Sequence, residues 1–271
     1  MIRSLALIAL LLPAVAQAQD MMGKTAPVVP EPIVVMPRTG PAIGFTLGAG
    51  VAVAPSYFGS DSYEAAPDLT FGLNYLRLGG FTFGNPDPLF MPEGFGITGS
   101  FRYIGERDDA DDPELAGLAD VDAALELGAG LRYATRNYQV FGNVRYGVVG
   151  HESFVGELGA DVFIRPTDRL TLRAGPRAFF GDGDYASTYF GVTPAEAAAS
   201  GGNFTTFDAG GGLLSAGLEV GAGYRINQNW GVDASIRYDR LENDAADSPI
   251  SRDDDQFTAS IGLTRRFTLG F

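Results

Sequence analysis

Apolar and polar residues alternate along most of the chain, and the alternation is clearest in its C-terminal third. Between Asn229 and Leu241 the apolar side chains fall on one face, and the charged or small polar side chains fall on the other. Successive side chains of a strand point to opposite faces, so this period predicts a β-strand with one apolar face. Similar segments recur from Ile43 to the terminal Phe271, which predicts an all-β fold.

The composition of the polar faces favours a barrel in lipid over a soluble β-sandwich. In a sandwich the apolar faces would meet in the interior and the polar faces would be solvated. Here the polar faces combine Arg with Asp or Glu and with many of the 37 glycines, which fits a narrow, hydrated lumen. The 19 phenylalanines suit the aromatic girdles of the two membrane interfaces. We therefore predict an antiparallel transmembrane β-barrel over residues 42–271, with membrane lipid around it.

The spacing of turn signals predicts about ten strands. Short turns follow Tyr133, Ile164 and Tyr224, and long polar loops occur at the other ends of the strands. Short periplasmic turns and longer outer loops are the usual asymmetry of outer-membrane barrels. The count becomes twelve if Gly79 and Gly80 close a true hairpin instead of forming a bulge in one strand.

The first 41 residues are predicted to lie outside the barrel. Arg3, an apolar run and the small-residue pattern at 16–18 predict a secretory signal peptide over residues 1–18. The segment 19–41 carries five prolines, which a sheet does not accommodate, so we expect a proline-rich periplasmic segment there. Export followed by barrel formation predicts a location in the outer membrane of a Gram-negative cell.

Charge and cysteine content exclude several classes of function. Loss of Arg3 with the signal peptide would leave 18 Lys and Arg residues against 33 Asp and Glu residues, a formal net charge of −15. This charge argues against nucleic acid as a partner. The chain has no cysteine, which excludes disulfides and thiolate metal sites, and no phosphate-binding glycine loop is found, so we expect no cofactor. The acidic runs 108–114 and 253–255 are interpreted as solvated outer loops, which would lie at the lipopolysaccharide surface.

The inward positions of the predicted strands carry seven carboxylates and nine arginines. In a narrow barrel such charges form interlocked salt bridges rather than staying apart. A structural plug is favoured over an ion-selective pore, because both signs are mixed along nearly every strand. The predicted lumen network comprises Arg102, Asp122, Glu126, Arg132, Arg145, Glu157, Asp161, Arg165, Arg173, Arg177, Glu219, Arg225, Asp233, Arg237, Asp239 and Arg266.

His151 is the single histidine and offers the one candidate for catalysis. His151 and Ser153 share a face of an extended chain, and the catalytic His and Ser of lipid A deacylase barrels are also two residues apart. Glu152 points the opposite way, so a helper acid would have to be Glu157 or another lumenal carboxylate. Catalysis needs nucleophile, base and orienting acid within hydrogen-bond reach, which spacing alone does not establish. We interpret the segment as a polar turn at the outer rim and predict no catalytic residue.

The chain ends on a predicted assembly signal. Alternation continues through Leu269 to Phe271, which resembles the terminal aromatic signal that delivers outer-membrane barrels to the barrel assembly machinery. Arg265 interrupts the outward row, and a lipid-facing Arg is costly at mid-depth but cheap near an interface. We expect Phe271, rather than Phe267, to direct assembly.

Three loop segments carry a resemblance to a known family. The segments YASTYFGVTPAEAAASG at 185–201, RLENDAADSPI at 240–250 and APSYFGSDSYEAAP at 54–67 resemble signatures of the MipA/OmpV family of outer-membrane proteins. Glu242 and Asn243 stand where the family usually has a glycine. The chain also runs four residues past Phe267, where that family commonly ends.

The resemblance implies a non-catalytic barrel that acts as a scaffold. The family's namesake is similar to a protein that joins a lytic transglycosylase to a bifunctional murein synthase at the inner face of the outer membrane. A scaffold for such peptidoglycan-remodelling enzymes is therefore the expected function, with residues 19–41 on the periplasmic side. The alternatives are a small diffusion channel, a surface adhesin and, less favoured, a lipid A-modifying hydrolase that uses His151 and Ser153.

Overall fold

A computed structural model describes residues 40–84 and 93–271. The predicted signal peptide, residues 1–18, and all but the last two residues of the predicted proline-rich segment lie outside the described residues. The described chain is dominated by one antiparallel sheet. Its strands are β1 Ala42–Pro55, β2 Tyr63–Leu78, β3 Phe81–Gly84, β4 Gly94–Ile104, β5 Ala124–Ala134, β6 Tyr138–Val149, β7 Phe154–Ile164, β8 Leu170–Gly181, β9 Gly212–Arg225, β10 Trp230–Leu241 and β11 Asp255–Gly270.

The strand order brings the first and last strands together. The order is β3-β2-β1-β11-β10-β9-β8-β7-β6-β5-β4, and every neighbouring pair is antiparallel. β1 pairs with β11 from Ala42 opposite Gly270 to Val53 opposite Ala259. β2 also approaches β4. The sheet therefore curls round a central lumen, and the predicted all-β, antiparallel architecture is confirmed.

The expected count of about ten strands is corrected at Gly79 and Gly80. These residues connect β2 to β3, with Leu78 opposite Phe81, so they form a true hairpin. Gly79 has a φ of 56°, which glycine adopts at little cost and other residues rarely adopt. The sequence predicts twelve strands if these two glycines close a hairpin. The structure supports that alternative over ten, with eleven strands inside the described ranges.

Long and short connections lie at opposite ends of the strands, which we call the loop end and the turn end. Short connections such as 135–137 and 226–229 lie at the turn end, together with Gly40 and Phe271. The loop end carries the connections 56–62, 105–123, 150–153, 182–211 and 242–254. These loops contain the helices α1 Gly183–Phe190, α2 Pro194–Ala199 and α3 Asp244–Asp247, and a 3₁₀ turn at Pro113–Leu115.

The outward face of the sheet is an apolar belt with aromatic residues at both edges. Leu47, Leu131 and Val220 are examples of large aliphatic side chains that are exposed on this face. Cross-strand aromatic pairs flank the aliphatic zone at the two ends, as expected for membrane interfaces. The pairs are Phe45 with Phe267 and Phe95 with Tyr133 at the turn end, and Tyr146 with Phe154 and Tyr238 with Phe257 at the loop end.

Arg265, which interrupts the outward row, lies at the turn-end edge of this belt. Its guanidinium carbon is 5.0 Å from the ring centroid of Trp230 and 4.8 Å from that of Phe267. Cation–π contact at the edge of the apolar zone explains how the strand accommodates an outward charge. Among the described residues, no helix is long and apolar enough to cross a membrane.

Candidate functional site

The long loops fold over the loop end as a compact cap with its own hydrophobic core. One cluster of buried side chains surrounds helix α1, and a second joins the remaining loops. The first cluster contains Val155, Phe179, Tyr185, Ala186, Tyr189, Phe190, Ala209, Leu214, Leu241 and Ala245. The second contains Tyr57, Leu115, Leu118, Val192, Phe204 and Ile250.

Local capping signals place the helices of the cap. The Asp182 side chain accepts the backbone N–H of Tyr185 at 2.9 Å, which begins α1. Its second oxygen accepts the N–H of Phe154 at 2.7 Å, so the same carboxylate ties α1 to the start of β7. Thr193 and Glu196 form a reciprocal capping box that begins α2. The cap is therefore anchored to the barrel wall as well as packed on it.

The three segments that carry the family resemblance meet in this cap. Phe58 stacks edge-on against Tyr189, with ring centroids 5.1 Å apart. The Ser248 hydroxyl donates to the Phe190 carbonyl at 2.6 Å. Segments far apart in sequence thus contact one another around α1, and their role is to build the cap.

Glu126 on β5 is the centre of a buried ion-pair network directly below the cap, which we call the upper network. Its Oε2 accepts Arg145 Nε at 2.7 Å, and its Oε1 lies 3.3 Å from His151 Nε2 and 3.8 Å from Arg102 NH1. The side chains of Glu126 and His151 are fully buried. Arg145 continues the network to Glu157 at 3.1 Å.

The upper network crosses the lumen. Arg237 on β10 reaches Glu157 on β7 at 2.8 Å and also pairs with Asp239. Arg102 on β4 lies 4.7 Å from the ring centroid of Phe179 on β8. Strands that are not neighbours in the sheet are thereby joined by contacts that span the lumen beneath the cap.

A second ion-pair network, the lower network, lies nearer the turn end. Arg177 pairs with Asp161 at 2.7 Å and with Glu219 at 3.3 Å. Arg173 pairs with Glu219 at 3.3 Å and with both oxygens of Asp233, at 2.9 and 3.0 Å. The lower network therefore links β7, β8, β9 and β10.

One carboxylate of each network differs strongly in its contact with water, while Arg102 in the upper network, at 29% exposed, is as accessible as Arg173 in the lower. The Arg177 and Asp161 side chains are almost fully buried, but the Asp233 side chain is 43% exposed and Arg173 is 24% exposed. Glu126 in the upper network is 0% exposed. Asp233 therefore faces open space in the lumen near the turn end of β10.

Eleven of the sixteen predicted lumen residues belong to these two networks, and Asp122 does not. The expected inward position of Asp122 is corrected, because β5 begins only at Ala124. Val121 instead forms a bridge with Arg107 inside the loop. Asp122 is exposed in that loop, where no strand alternation fixes the direction of its side chain.

The remaining four predicted residues are arginines near the turn end. Arg165 donates to the Arg136 carbonyl, and Arg225 donates to the Asp168 carbonyl, so both hold turns at the rim. Arg132 and Arg266 occupy inward positions on β5 and β11. Their register partners, Gly96 and Thr46, lie on the same inner wall.

The turn 150–153 gives His151 and Ser153 structural partners. The Ser153 N–H donates to His151 Nδ1 at 3.1 Å, and the Ser153 hydroxyl donates to the His151 carbonyl at 2.6 Å. With Nδ1 as acceptor, the proton of the neutral imidazole is assigned to Nε2, which faces Glu126. Ser153 is 1% exposed. Its hydroxyl therefore points at a backbone carbonyl instead of the imidazole, and both groups are covered.

Burial perturbs the titration of groups in the cap. It raises the pKa of the Tyr189 phenol to about 12 and raises that of Tyr185 as well. It also lowers the pKa of the Arg107 guanidinium, which donates to the Tyr189 carbonyl at 2.9 Å. Neither phenol oxygen has a hydrogen-bond partner among the described residues. The cap thus holds its tyrosines neutral, in an environment that opposes their ionisation.

The buried aromatic residues of the cap are the part of the site that sequence alternation does not reveal. Tyr185 and Tyr189 stand four residues apart, the spacing of one helix face, and Asp182 precedes them at a helix start. This local signal predicts a short helix with one aromatic face. In the ranges that the structure covers, no group of three or more His, Cys, Asp or Glu side chains could hold a metal ion.

These features define a class of protein. Antiparallel strands with an apolar outer belt, aromatic edges, a charged lumen and unequal connections at the two ends form an outer-membrane β-barrel. The chain belongs to the family described as MltA-interacting protein MipA, whose model matches residues 47–267. The family resemblance of the loop segments is thereby confirmed. No curated protein sequence matches the chain significantly.

Many solved structures resemble the chain at low sequence identity. OprB from Pseudomonas putida is 10% identical, with 84% of this chain and 94% of that chain covered and a TM-score of 0.41. The outer membrane protein OprG from Pseudomonas aeruginosa is 12% identical, with coverage of 84% and 97% and a TM-score of 0.27. OmpF from Salmonella typhi, in complex with daunomycin, is 15% identical, with coverage of 74% and 51% and a TM-score of 0.32. The chain thus spans about half the length of OmpF.

Proposed function

We propose that this protein is a non-catalytic scaffold of the outer membrane that binds peptidoglycan-remodelling enzymes from the periplasmic side. The observation that carries this proposal is the asymmetry of the lumen. The cap and the upper network close the loop end, so a continuous path for solutes is not favoured. The turn end, where the short periplasmic connections lie, keeps Asp233 43% exposed, whereas Glu126 near the loop end is fully buried.

The family description supplies the partner class. Its members are described as MltA-interacting, and we extend this interaction to the present chain. The proposed partners are a lytic transglycosylase of the MltA type and, as the resemblance implied, a murein synthase. Lipid around the belt, lipopolysaccharide at the acidic loop end and the barrel assembly machinery are further expected partners. The N–H of Phe271 donates to the Pro41 carbonyl at 3.0 Å, and its role as assembly signal stays a prediction.

The geometry also weighs against the hydrolase alternative. A serine nucleophile has to reach a base and a substrate carbonyl together. The Ser153 hydroxyl is engaged with the His151 carbonyl, and the imidazole is covered by the rings of Tyr185 and Tyr189, with centroid separations of 5.0 and 5.8 Å. This arrangement supports a structural role for the turn.

Site-specific photocrosslinking in cells tests the scaffold proposal. A photoreactive amino acid is placed at Asn137 or Gln228, which are exposed at the turn end, and at Asp109 or Asp208, which are exposed at the loop end. We expect adducts with a periplasmic lytic transglycosylase from the two turn-end positions and none from the loop-end positions. Adducts from the loop end alone, or no periplasmic adduct at any position, would contradict the proposal.

A planar-bilayer recording separates the scaffold from the channel alternative. The closed loop end predicts no steady open conductance from the purified, full-length barrel. A large and stable conductance would show that the cap and upper network do not block the lumen. The adhesin alternative predicts binding through the loop end, so the Asp109 and Asp208 positions above also report on it.

A further inference from the structure

We propose that the lipid-facing surface of β1, β10 and β11 holds a specific binding site for one anionic glycerophospholipid of the periplasmic leaflet, with phosphatidylglycerol as the ligand class. The lipid phosphate binds the guanidinium of Arg265, and an acyl chain lies in a depression of the wall beside it. This inference goes beyond bulk lipid around the belt, and it does not rest on the scaffold proposal.

The first observation is the state of Arg265 on the outer face. Its guanidinium is exposed and contacts two rings, with Cζ 5.0 Å from the centroid of Trp230 and 4.8 Å from that of Phe267. Within the described ranges, no carboxylate pairs with it. The ring contacts use the charge of the guanidinium but not its five N–H donors. Arg265 therefore offers hydrogen-bond donors at the edge of the apolar belt.

The charges around Arg265 favour an anionic headgroup over a zwitterionic one. On the outward positions of β1, β10 and β11, the other charged side chains are Arg240 and Asp255, which are opposite one another at the loop end. The turn-end part of this face thus has a guanidinium and no carboxylate side chain that could receive an ammonium group. A guanidinium binds phosphate through charge-assisted hydrogen bonds. A headgroup with phosphate and no ammonium therefore fits this surface best.

The second observation is a shallow depression in the belt, next to Arg265 on the side toward the loop end. Its volume is about 540 Å³. The residues around it are apolar or glycine, and they include Ala49, Val51, Val232, Ile261, Gly262 and Leu263. A surface of this composition has no polar group to offer a headgroup, but it fits a hydrocarbon chain.

Small residues create the depression. Gly50 and Gly262 are opposite one another in register, and a Cβ at Gly50 would collide with the carbonyl oxygen of Ile261. β1 and β11 therefore approach closely at a point where only glycine fits. Ala49 is the neighbouring outward residue of β1, and it stands between the larger Leu47 and Val51 in the outward row. The wall is thus low at Ala49 and higher on either side.

The spacing of the two features matches one lipid molecule. Arg265 and Leu263 are successive outward residues of β11, and a two-residue step along a strand spans about 7 Å. This is close to the separation between the phosphate and the first acyl carbons of a glycerophospholipid. Trp230 is opposite Arg265 in register, and tryptophan is enriched at the level of the headgroups. Since the short turns of such barrels are periplasmic, the lipid belongs to the periplasmic leaflet.

Native mass spectrometry of the full-length barrel, released from detergent micelles, tests the headgroup site. The probes are dioleoyl phosphatidylglycerol and dioleoyl phosphatidylethanolamine, titrated separately. We expect the wild-type barrel to bind the first lipid at least about threefold more tightly than the second. R265Q should weaken phosphatidylglycerol binding at least about fivefold, because one interfacial arginine is lost. The matched control R169Q removes an exposed arginine from the turn between β7 and β8 and should leave the affinity unchanged.

A second pair of variants tests the place of the acyl chain. A49F fills the depression and keeps Arg265, so it should weaken phosphatidylglycerol binding at least about threefold. A174F makes the same exchange at an exposed outward position of β8 and should leave the affinity unchanged. Heat-modifiable migration on a gel reports a closed barrel for each variant. If R265Q fails to fold, the comparison of A49F with A174F still tests the site.

Each other outcome overturns part of the proposal. Equal affinities of the wild-type barrel for the two lipids, or unchanged phosphatidylglycerol binding in R265Q, would refute the headgroup site. An equal loss in R169Q would show a general attraction of anionic lipid to the turn end. Unchanged binding in A49F would refute the acyl-chain position. A wild-type dimer that A49F abolishes would assign the depression to a second copy of the chain instead of a lipid.

Discussion

The upper and lower networks use the same side chains in different surroundings. Both join Arg to Asp or Glu across the strands that line the lumen. In the upper network the central carboxylate, Glu126, is completely shielded from water, whereas Asp233 in the lower network is 43% exposed. The strand pattern is the same at both levels, so the difference comes from the loops. A cap of loop residues covers Glu126 near the loop end, whereas Asp233, nearer the turn end, stays in contact with water.

The largest expected loss of stability comes from a substitution in the core of the cap. Tyr185 is fully buried against Phe179 and His151, so Y185A should remove a central aromatic ring and lower the free energy of unfolding by about 3–5 kcal/mol. Urea unfolding in lipid vesicles measures this loss. The same variant should raise the conductance in planar bilayers, because the cap no longer covers the lumen.

The matched control lies on the exposed side of the same helix. Ser187 is exposed and its hydroxyl donates a long hydrogen bond, 3.4 Å, to the Ala209 carbonyl, so S187A should change the free energy of unfolding by less than about 1 kcal/mol. Similar losses in Y185A and S187A would mean that α1 is not packed as a cap.

The second prediction compares one carboxylate from each network. E126Q removes the fully buried carboxylate that Arg145 contacts at 2.7 Å and leaves Arg145 with Glu157 as its remaining charged partner. Breaking a buried pair of this kind costs about 3–5 kcal/mol. D233N alters a pair in contact with water and should cost less than about 1 kcal/mol. Urea unfolding of the two variants measures how much free energy of unfolding each one loses. Equal losses would contradict the difference in burial between Glu126 and Asp233.

The third prediction concerns alkaline pH. The folded protein holds the pKa of Tyr189 at about 12, above its ordinary value of about 10, because burial disfavours the phenolate. A raised folded-state pKa gives stability that is complete below pH 10 and is lost as the pH rises toward 12. The expected loss is about 2–3 kcal/mol for this residue.

The variant Y189F provides the control for this pH dependence. The Tyr189 hydroxyl has no partner among the described residues, so its removal should cost little at pH 7. Between pH 10 and 12 the variant should lose less stability than the wild type. The same alkaline loss in both proteins would show that Tyr189 is not held neutral by the cap.

The smallest expected effect is at the edge of the cap. T193A removes the Thr193 side chain from the capping box of α2 and should destabilise that helix by about 1 kcal/mol. Hydrogen exchange should become faster in α2 while the protection of β5 and β6 stays the same. The exposed Thr205 serves as the comparison, and T205A should change neither the exchange rate of α2 nor the protection of β5 and β6. Faster exchange in β5 would mean that the cap edge and upper network unfold together.

Sequence periodicity predicts the wall of the barrel better than it predicts the site. Alternation places Glu126, Arg145 and Asp233 on the inner face correctly, because direction in a strand follows from position alone. It carries no information about what covers an inward side chain, so Glu126 and Asp233 look equivalent in the sequence. The error at Asp122 arises at a strand end, where alternation continues in the sequence after pairing has stopped.

The barrel wall is specified by patterns within single segments of the sequence, whereas the cap is not. The adjacent glycines Gly79 and Gly80 indicate a hairpin locally, as one of the two alternatives that the sequence leaves open. The cap joins residues such as Phe58, Tyr189 and Ser248, which are far apart in sequence. No pattern within one segment specifies such contacts, although the resemblance of the three loop segments to one family marks the residues that make them.

Thiol labelling from the two sides of the membrane tests the asymmetry of the lumen most directly. T264C places a thiol in the lower lumen, and S215C places one on the inner wall of β9 beneath the cap, where Ser215 is buried. With an impermeant maleimide, we expect no labelling of either variant in intact cells. After permeabilisation of the outer membrane, T264C should react and S215C should stay protected. Labelling of T264C in intact cells, or of S215C under either condition, would contradict a lumen closed at the loop end and open at the turn end.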